Sequence, residues 1–133
     1  GYPRCEVEAP TLSSPTLAPG GAVTVTTRVK NVGARKGETT LFLFVRDTLA
    51  SVARPALELK GFAKAAVKPG ARATVRFELT AQDLVFLDAG MQPIFEPGEV
   101  EVFVGLSADP AHLVATRLTL LPPPRKRAPR RAR

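Results

Sequence analysis

The chain contains very few of the residues that build reactive or metal sites. Among its 133 residues are one cysteine (Cys5), one histidine (His112), one tyrosine (Tyr2) and no tryptophan. A single cysteine cannot form a disulfide within the chain, and one cysteine with one histidine is too few for a Cys/His zinc cluster. A nucleophilic triad would have to use His112, whose neighbours Ala111 and Leu113 are typical of an ordinary strand-end histidine. We therefore expect no metal, no cofactor and no catalytic centre in this chain.

Long apolar runs are absent as well. No stretch approaches the roughly 20 residues of a membrane span, and the first residues lack the order of charged, apolar and small residues seen in a signal sequence. Hydrophobic residues make up 44% of the chain and charged residues 23%, which is typical of a folded globular chain of one domain. We expect no membrane contact and no disorder in the body of the chain.

The positive charge is concentrated at one end. The formal net charge is +7, and residues 122–133 hold six basic residues and no acidic one, which leaves +1 for residues 1–121. Pro122–Pro124 should end the last strand, predicted near His112–Leu121, because proline cannot donate to a sheet ladder. The sequence thus predicts a folded domain over residues 1–121 and a disordered, basic, proline-rich tail over residues 122–133.

This tail has a functional interpretation in addition to that of a solvated end. It could capture nucleic acid, anionic lipid or an acidic polymer electrostatically. However, the tail has no aromatic residue to stack on a base, and its prolines disfavour an amphipathic membrane helix. We therefore expect neither a nucleic acid nor a membrane as a partner.

Apolar residues alternate with polar ones in several segments, as in half-buried β-strands. The inward sets are predicted to be Val23, Val25, Thr27 and Val29; Ala73, Val75, Phe77 and Leu79; and Val100, Val102 and Val104. Turn residues separate the strands at Pro19–Gly21, Gly33–Gly37, Pro69–Gly70, Gly90 and Pro97–Gly98. Helix signals are limited to one short turn at Ala81–Leu84, which Thr80 could cap. The pattern predicts an all-β, antiparallel β-sandwich that lacks the tryptophan and cysteine pair of immunoglobulin domains.

The strand predicted at Thr40–Arg46 is apolar on both faces. Leu41, Leu43 and Val45 point one way, while Phe42 and Phe44 point the other. Because the outer face of a sandwich sheet ordinarily meets water, the outer Phe pair needs a cover. A loop of the same chain and a neighbouring domain are equally compatible with the sequence.

The segment Arg54–Phe62, RPALELKGF, is the most informative in the chain. Arg54-Pro55 favours an extended approach. The alternation that begins at Leu57 then predicts a strand that ends near Gly61.

This segment belongs to an ordered set of pieces running from Leu12 to Asp109. The pieces are LSSPTLAPGGAVTV, VKNVGARKGETTLFLFVRD, RPALELKGFAKAAVKPG, DLVFLD and FEPGEVEVFVGLSAD. Together they resemble the C-terminal fibronectin type III-like domain of family 3 glycoside hydrolases, the β-glucosidase and β-xylosidase group. The chain departs from that pattern at Leu87, where an aromatic residue is common, and at Val32, where threonine is usual. Neither position has a catalytic role in the family.

The resemblance implies an immunoglobulin/fibronectin type III-like sandwich that is a non-catalytic accessory domain of a β-glycosidase. Its expected partners are the catalytic domains of the same polypeptide, which carry the family's nucleophile and acid/base and lie close to the Arg-Pro connection. The residues expected at that domain interface are Phe42, Phe44, Arg54, Pro55, Leu57 and Phe62. The parent enzyme is expected in the periplasm or outside the cell, with the cytoplasm as the other option, and an export signal would lie upstream of Gly1.

Parts of the sequence are compatible with other functions. The acid pairs Glu99/Glu101 and Asp83/Asp88 could in principle serve glycoside hydrolysis, but nothing marks either pair as more than surface acids. A free-standing carbohydrate- or protein-binding sandwich is the alternative from another class, although carbohydrate-binding faces usually present aromatic platforms and Tyr2 is the only tyrosine. A binder of anionic polymers through the tail is a third hypothesis. A small-molecule ligand is not expected.

Overall fold

The computed structural model of the protein describes residues 3–48 and 56–125, and regular structure there is almost entirely β-strand. The strands are β1 (Cys5–Val7), β2 (Thr11–Leu12), β3 (Thr16–Leu17), β4 (Ala22–Asn31), β5 (Gly37–Asp47), β6 (Glu58–Val67), β7 (Arg72–Thr80), β8 (Phe86–Leu87), β9 (Pro93–Ile94), β10 (Gly98–Gly105) and β11 (Val114–Leu120). None of the helical segments in the described residues has the length and hydropathy needed to cross a membrane.

Two sheets form the sandwich. In the four-stranded sheet, β4 lies at the centre, with β1 and β2 along one edge and β7 along the other. The five-stranded sheet has the order β3-β11-β10-β5-β6. All of these pairs are antiparallel except β3 with β11, which is parallel. A small β8-β9 hairpin stands apart from both sheets. The predicted all-β sandwich is therefore confirmed, with one parallel pair at an edge.

The predicted inward faces meet between the sheets. Buried apolar side chains from both sheets form one core, which includes Val23, Val25 and Val29 of β4, Val75, Phe77 and Leu79 of β7, Leu41, Leu43 and Val45 of β5, and Val100, Val102 and Val104 of β10. Burying each such Val or Leu side chain stabilises the fold by about 1.5–3 kcal/mol. Thr27, also on an inward face, is buried with its hydroxyl donating to the Glu8 carbonyl at 2.6 Å. The period-two pattern thus identified the core side of these strands correctly.

In the part of the chain that the structure describes, short 3-10 turns occur at two places. The first, Ala81–Leu84, is confirmed where the sequence predicted it: the Asp83 backbone N–H donates to the Thr80 hydroxyl, and the Thr80 backbone N–H donates to the Asp83 carboxylate. The second, Pro110–His112, begins where Asp109 caps it. The last strand, predicted near His112–Leu121, runs from Val114 to Leu120, which confirms its position. His112 itself lies in the turn just before the strand, because Pro110 at the start of the turn favours a helical over an extended start.

Strand β6 is longer than the sequence predicted. It passes through Gly61 and continues to Val67, so the prediction of a strand ending near Gly61 is wrong. A β-bulge absorbs the irregularity: Gly61 pairs with Leu43, and the next paired residue of β6 is Leu59, opposite Phe44. The bulge places an extra residue, Lys60, between the two pairs. Glycine therefore marks a bend within this strand and not its end.

The end of the fold lies close to the predicted limit of the domain. Strand β11 ends at Leu120, and the backbone N–H of Leu121 donates to the Leu17 carbonyl at 2.9 Å. Residues 122–125 are exposed and have no regular structure, while residues 126–133 lie outside the described part. The division at residue 121 and the disordered tail stay predictions.

Candidate functional site

The outer face of the five-stranded sheet carries a group of large apolar side chains. We call it the outer aromatic face: Phe42 and Phe44 of β5, Leu59 and Phe62 of β6, and Phe103 of β10. The strand register brings them together, because Phe44 pairs with Phe103 on one side and Leu59 on the other, while Phe42 pairs with Phe62. Directly paired residues of antiparallel strands point to the same face of the sheet. Aromatic residues from three neighbouring strands therefore form one surface.

Exposure across this surface rises toward the free edge of the sheet. Phe44 and Phe103 are buried, at 7% and 8% exposed, and Phe42 is half-buried. Its ring centroid lies 6.3 Å from that of Phe44, in a tilted arrangement. By contrast, Leu59 is 53% and Phe62 is 65% exposed. The β6 side of the face therefore presents apolar surface to its surroundings.

A polar pair borders the end of the face next to Phe44 and Phe103. The Arg46 guanidinium donates through Nε and Nη2 to Oε1 of Glu101, at 3.0 and 2.9 Å. The same guanidinium lies 5.1 Å from the centroid of the Phe103 ring. This distance is within the range of a cation–π contact. The Arg46 guanidinium thus covers Phe103, at the buried end of the outer aromatic face, while its charge is paired with Glu101.

The structure places four of the six predicted interface residues. Phe42, Phe44 and Phe62 share the outer aromatic face, and Leu57 lies half-buried immediately before β6. Arg54 and Pro55 lie outside the described residues. The interface role predicted for all six residues stays a prediction.

Sequence reasoning missed two members of the outer aromatic face. Phe103 stood in an otherwise polar set with Glu99 and Glu101, and that break in the alternation was the only signal that could have revealed it. Regular alternation from Leu57 predicts Leu59 on the same face of the strand as Leu57. The bulge instead turns Leu59 onto the face of Phe44. Its position depends on pairing with β5, which a local pattern does not contain.

The outer face of the four-stranded sheet has the opposite chemistry. It carries Thr24, Thr26, Arg28 and Lys30 of β4 beside Arg72, Thr74, Arg76 and Glu78 of β7. Glu8 accepts hydrogen bonds from Arg28 at 2.8 Å and from Arg72 at 3.1 Å. These groups are well hydrated, so this face is suited to water, whereas the outer aromatic face is not.

The acidic residues that were weighed as catalytic candidates have structural partners. Glu99 lies 3.3 Å from Arg117, and Glu101 binds Arg46. Asp83 caps its 3-10 turn, and the Asp88 carboxylate accepts hydrogen bonds from two backbone N–H groups of the next turn. Within residues 3–48 and 56–125, no three His, Cys, Asp or Glu side chains are grouped so that they could hold a metal ion.

Comparisons with known proteins point to one family. The family model of the fibronectin type III-like domain matches residues 39–108, which is more than half of the chain. The chain is 40% identical over 107 residues to the periplasmic β-glucosidase of Salmonella typhimurium, covering 80% of this chain and 14% of that protein. It is 34% identical over 119 residues to a β-xylosidase of Formosa agariphila, covering 90% of this chain and 16% of that protein.

Solved structures give the same result. The crystal structure of a β-glucosidase from Listeria innocua in complex with glucose superposes with a TM-score of 0.79 at 30% identity, covering 92% of this chain and 16% of that one. The chain therefore spans only about one-seventh of the length of the proteins that it matches. The resemblance drawn from the sequence is confirmed: the chain belongs to the fibronectin type III-like domains that accompany family 3 β-glucosidases and β-xylosidases.

Proposed function

We propose that this chain is a structural accessory domain of a β-glycosidase that hydrolyses O-glycosyl bonds of β-linked oligosaccharides. In this proposal the catalytic domains of the same polypeptide supply the nucleophile and the acid/base, and the sandwich packs against them. The support comes from relatives named β-glucosidase and β-xylosidase, of which a chain like this one makes up only 14–16%. The name of the Salmonella relative supports a periplasmic or secreted parent enzyme.

The outer aromatic face is the surface through which the domain packs. The observation that carries this assignment is the exposure of Phe62 and Leu59, at 65% and 53%, beside the buried Phe44 and Phe103 on one sheet face. An exposed group of large apolar side chains on a folded domain commonly marks an interface. Covering it with another domain removes this apolar surface from water, at about 25 cal/mol for each Å². The polar outer face of the four-stranded sheet would gain no comparable hydrophobic stabilisation from packing against another domain.

The connection before β6 belongs to the same interface. Leu57 is half-buried and leads directly into Leu59 and the bulge. In the proposal, Arg54 makes a polar contact with the catalytic body, and Pro55 and Leu57 make apolar contacts. Arg54, Pro55 and Leu57 would thus extend the interface from the outer aromatic face to the segment just before β6.

The free-standing binding module remains the competing function. Such a module would recruit partners through a sheet edge or an aromatic platform. The β6 edge is poorly suited to adding a strand, since it carries a bulge and the lysines Lys60 and Lys64, features that protect edges from pairing. The outer aromatic face contains phenylalanine without the polar tip of tyrosine or tryptophan, so it favours an apolar protein surface over a sugar.

Amide hydrogen exchange tests the proposed packing. Protection in residues 54–62 should be clearly higher in the full-length enzyme than in the 133-residue chain, above all in residues 54–57, which precede the β6 ladder. Substituting Phe62→Ser in the full-length enzyme should reduce this protection, whereas the control Arg76→Ser, on the opposite face, should not. Equal protection in the two proteins would mean that the connection closes on its own sandwich, and the interface would have to lie elsewhere. The 133-residue chain alone should not hydrolyse aryl β-glucosides or β-xylosides.

A further inference from the structure

The β8-β9 hairpin ends in a turn with unusually complete hydrogen bonding. The Asp88 carboxylate accepts the backbone N–H groups of Gly90 and Gln92, both at 2.9 Å. The backbone N–H of Asp88 donates to the Gln92 carbonyl at 2.9 Å, and that of Met91 donates to the Asp88 carbonyl at 3.0 Å. One aspartate thus holds the whole tip of the hairpin in a single conformation.

Within this turn the left-handed backbone position falls on Met91. Its φ is 62°, and it is the only non-glycine residue with a positive φ in the described part of the chain. The sequence suggested that Gly90 would supply such an angle, but the glycines with positive φ are Gly20, Gly70 and Gly98. A long side chain at this position is strained relative to glycine. Strain of this kind is often retained where the side chain has a function.

Met91 is 65% exposed, so its side chain contributes little to the core of the sandwich. Leu87, in the same hairpin, is 47% exposed. The described residues contain five exposed large apolar side chains, and four of them lie on just two elements: Leu59 and Phe62 on β6, and Leu87 and Met91 on the hairpin. This distribution is not the scattered one that ordinary surfaces show.

The two elements are neighbours in the fold. Lys60, the extra residue of the β6 bulge, places its Nζ 6.0 Å from the centroid of the Phe86 ring in β8. The hairpin therefore lies within reach of the Lys60 side chain, at the free edge of the sheet where the bulge also presents the exposed Leu59. A body covering Leu59 and Phe62 needs to extend only around this edge to reach the hairpin.

We infer that the β8-β9 hairpin is a second contact point with the catalytic part of the same polypeptide, and that Met91 is its apolar anchor. The inference rests on the proposed function, since the occupant is the remaining part of a protein of which this chain spans about one-seventh. A flexible, polarisable thioether adapts well to a neighbouring apolar pocket. The Asp88 turn fixes the backbone around Met91 before the contact forms, which reduces the backbone entropy lost on docking.

Oxidation of Met91 tests the inference directly, because it is the only methionine of the chain and is followed as a single peptide. In the native full-length enzyme, hydrogen peroxide should convert Met91 to its sulfoxide at least about tenfold more slowly than in the same enzyme unfolded in urea. Equal rates in the two states would overturn the inference. The result is independent of residues 54–62: protected amides there together with freely oxidised Met91 would leave the proposed function standing and remove only this contact.

A matched pair of substitutions separates docking from a role within the domain. Met91→Gly in the full-length enzyme removes both the strain and the anchor, and should increase amide exchange across the hairpin. Val32→Gly removes an exposed apolar side chain, 37% exposed, from a different turn and should leave the hairpin unchanged. If Met91→Gly slows exchange in the hairpin of the full-length enzyme, relief of strain outweighs any docking, and Met91 is not an anchor.

Discussion

Arg46 of β5 and Glu101 of β10 lie directly opposite each other on the outer side of the five-stranded sheet, joined by two hydrogen bonds of 3.0 and 2.9 Å to a single carboxylate oxygen. The guanidinium also lies over the Phe103 ring. The Arg46 side chain therefore binds the Glu101 carboxylate and covers the Phe103 ring at the same time. This pair borders the outer aromatic face at the end next to Phe103, while the β6 side of the face is exposed.

This arrangement predicts a measurable coupling between Arg46 and Glu101. In a double-mutant cycle of Arg46→Ala and Glu101→Ala, followed by urea unfolding, the pair should contribute about 0.5–1 kcal/mol to the free energy of unfolding. The control pair Arg117/Glu99 lies on the same sheet at 3.3 Å but is more exposed. Its coupling should be close to zero because solvent screens it. A coupling no larger than that of the control would contradict the prediction.

Asn31 should be one of the most sensitive polar positions. It is fully buried, and its amide donates to the Arg35 and Val67 carbonyls at 2.6 and 3.0 Å, while its Oδ1 accepts the Gly33 N–H at 2.9 Å. Asn31→Ala leaves these backbone groups without the side-chain partner. We expect a loss of about 2–3 kcal/mol in the free energy of unfolding, measured by chemical denaturation.

The neighbouring substitution Val32→Ala provides the control for Asn31. Its side chain is on the surface, so its replacement should change the free energy of unfolding by no more than about 0.5 kcal/mol. Similar effects at the two positions would show that the Asn31 hydrogen bonds do not stabilise the turn.

Two strand glycines should respond oppositely to alanine. A Cβ at Gly105 would lie 2.6 Å from Leu113 Cδ2 and 3.1 Å from the His112 carbonyl oxygen, whereas a Cβ at Gly61 would meet nothing closer than 3.4 Å. Gly105→Ala should therefore destabilise the fold by about 1–3 kcal/mol. Gly61→Ala should be neutral or stabilising by up to about 1 kcal/mol. Thermal unfolding of both variants measures the difference, and a tolerated Gly105→Ala would count against the close approach of β10 to the turn at His112.

Cys5 should react slowly with thiol reagents. Partial burial in β1 raises the pKa of the Cys5 thiol above its usual value. Less thiolate is then present at pH 8, so alkylation by iodoacetamide should be slower in the folded protein than in the urea-unfolded one. Because the pKa is higher in the folded than in the unfolded state, the stability from this group is complete below the unfolded pKa and is lost as the pH rises through the folded pKa. Cys5→Ser should remove that alkaline loss; an unchanged alkaline slope would contradict the assignment.

Removal of residues 122–133 should leave the fold intact. Among the residues up to 125 that the structure describes, Leu121 makes the last backbone hydrogen bond to the sandwich, with Leu17, and residues 122–125 are exposed. The thermal midpoint should shift by no more than about a degree, as for surface changes worth within about 0.5 kcal/mol. Any affinity for heparin or DNA should vanish with the tail and, before truncation, weaken steeply with salt. Loss of folding, or binding that survives high salt, would refute this prediction.

Local patterns in the sequence were enough to predict the class of fold and much of its core. Alternation placed Val25, Val75 and Val102 on inward faces, and the structure buries all three. The cap formed by Thr80 and Asp83 was also predictable, because it depends on residues three positions apart. Such features arise from side-chain geometry along a few neighbouring residues, so the sequence contains them directly.

The candidate interface could be predicted only in part. The outward direction of Phe42 and Phe44 followed from alternation within one strand. Their meeting with Phe103 and Phe62 depends on which strands pair and in which register. Pairing joins residues about 20 to 60 positions apart, and a shift of one residue would turn every side chain to the other face.

The sequence by itself determined an all-β sandwich, its inward faces and its family, and it excluded a disulfide within the chain. Only the tertiary structure decided that β6 bends at Gly61 and brings Leu59 onto the face of Phe44. Only the tertiary structure put the left-handed turn position on Met91 and placed its hairpin beside that bend. The reason is physical: alternation and turn chemistry act between near neighbours, whereas bulges, register and shared surfaces come from the packing of strands that are distant in the chain.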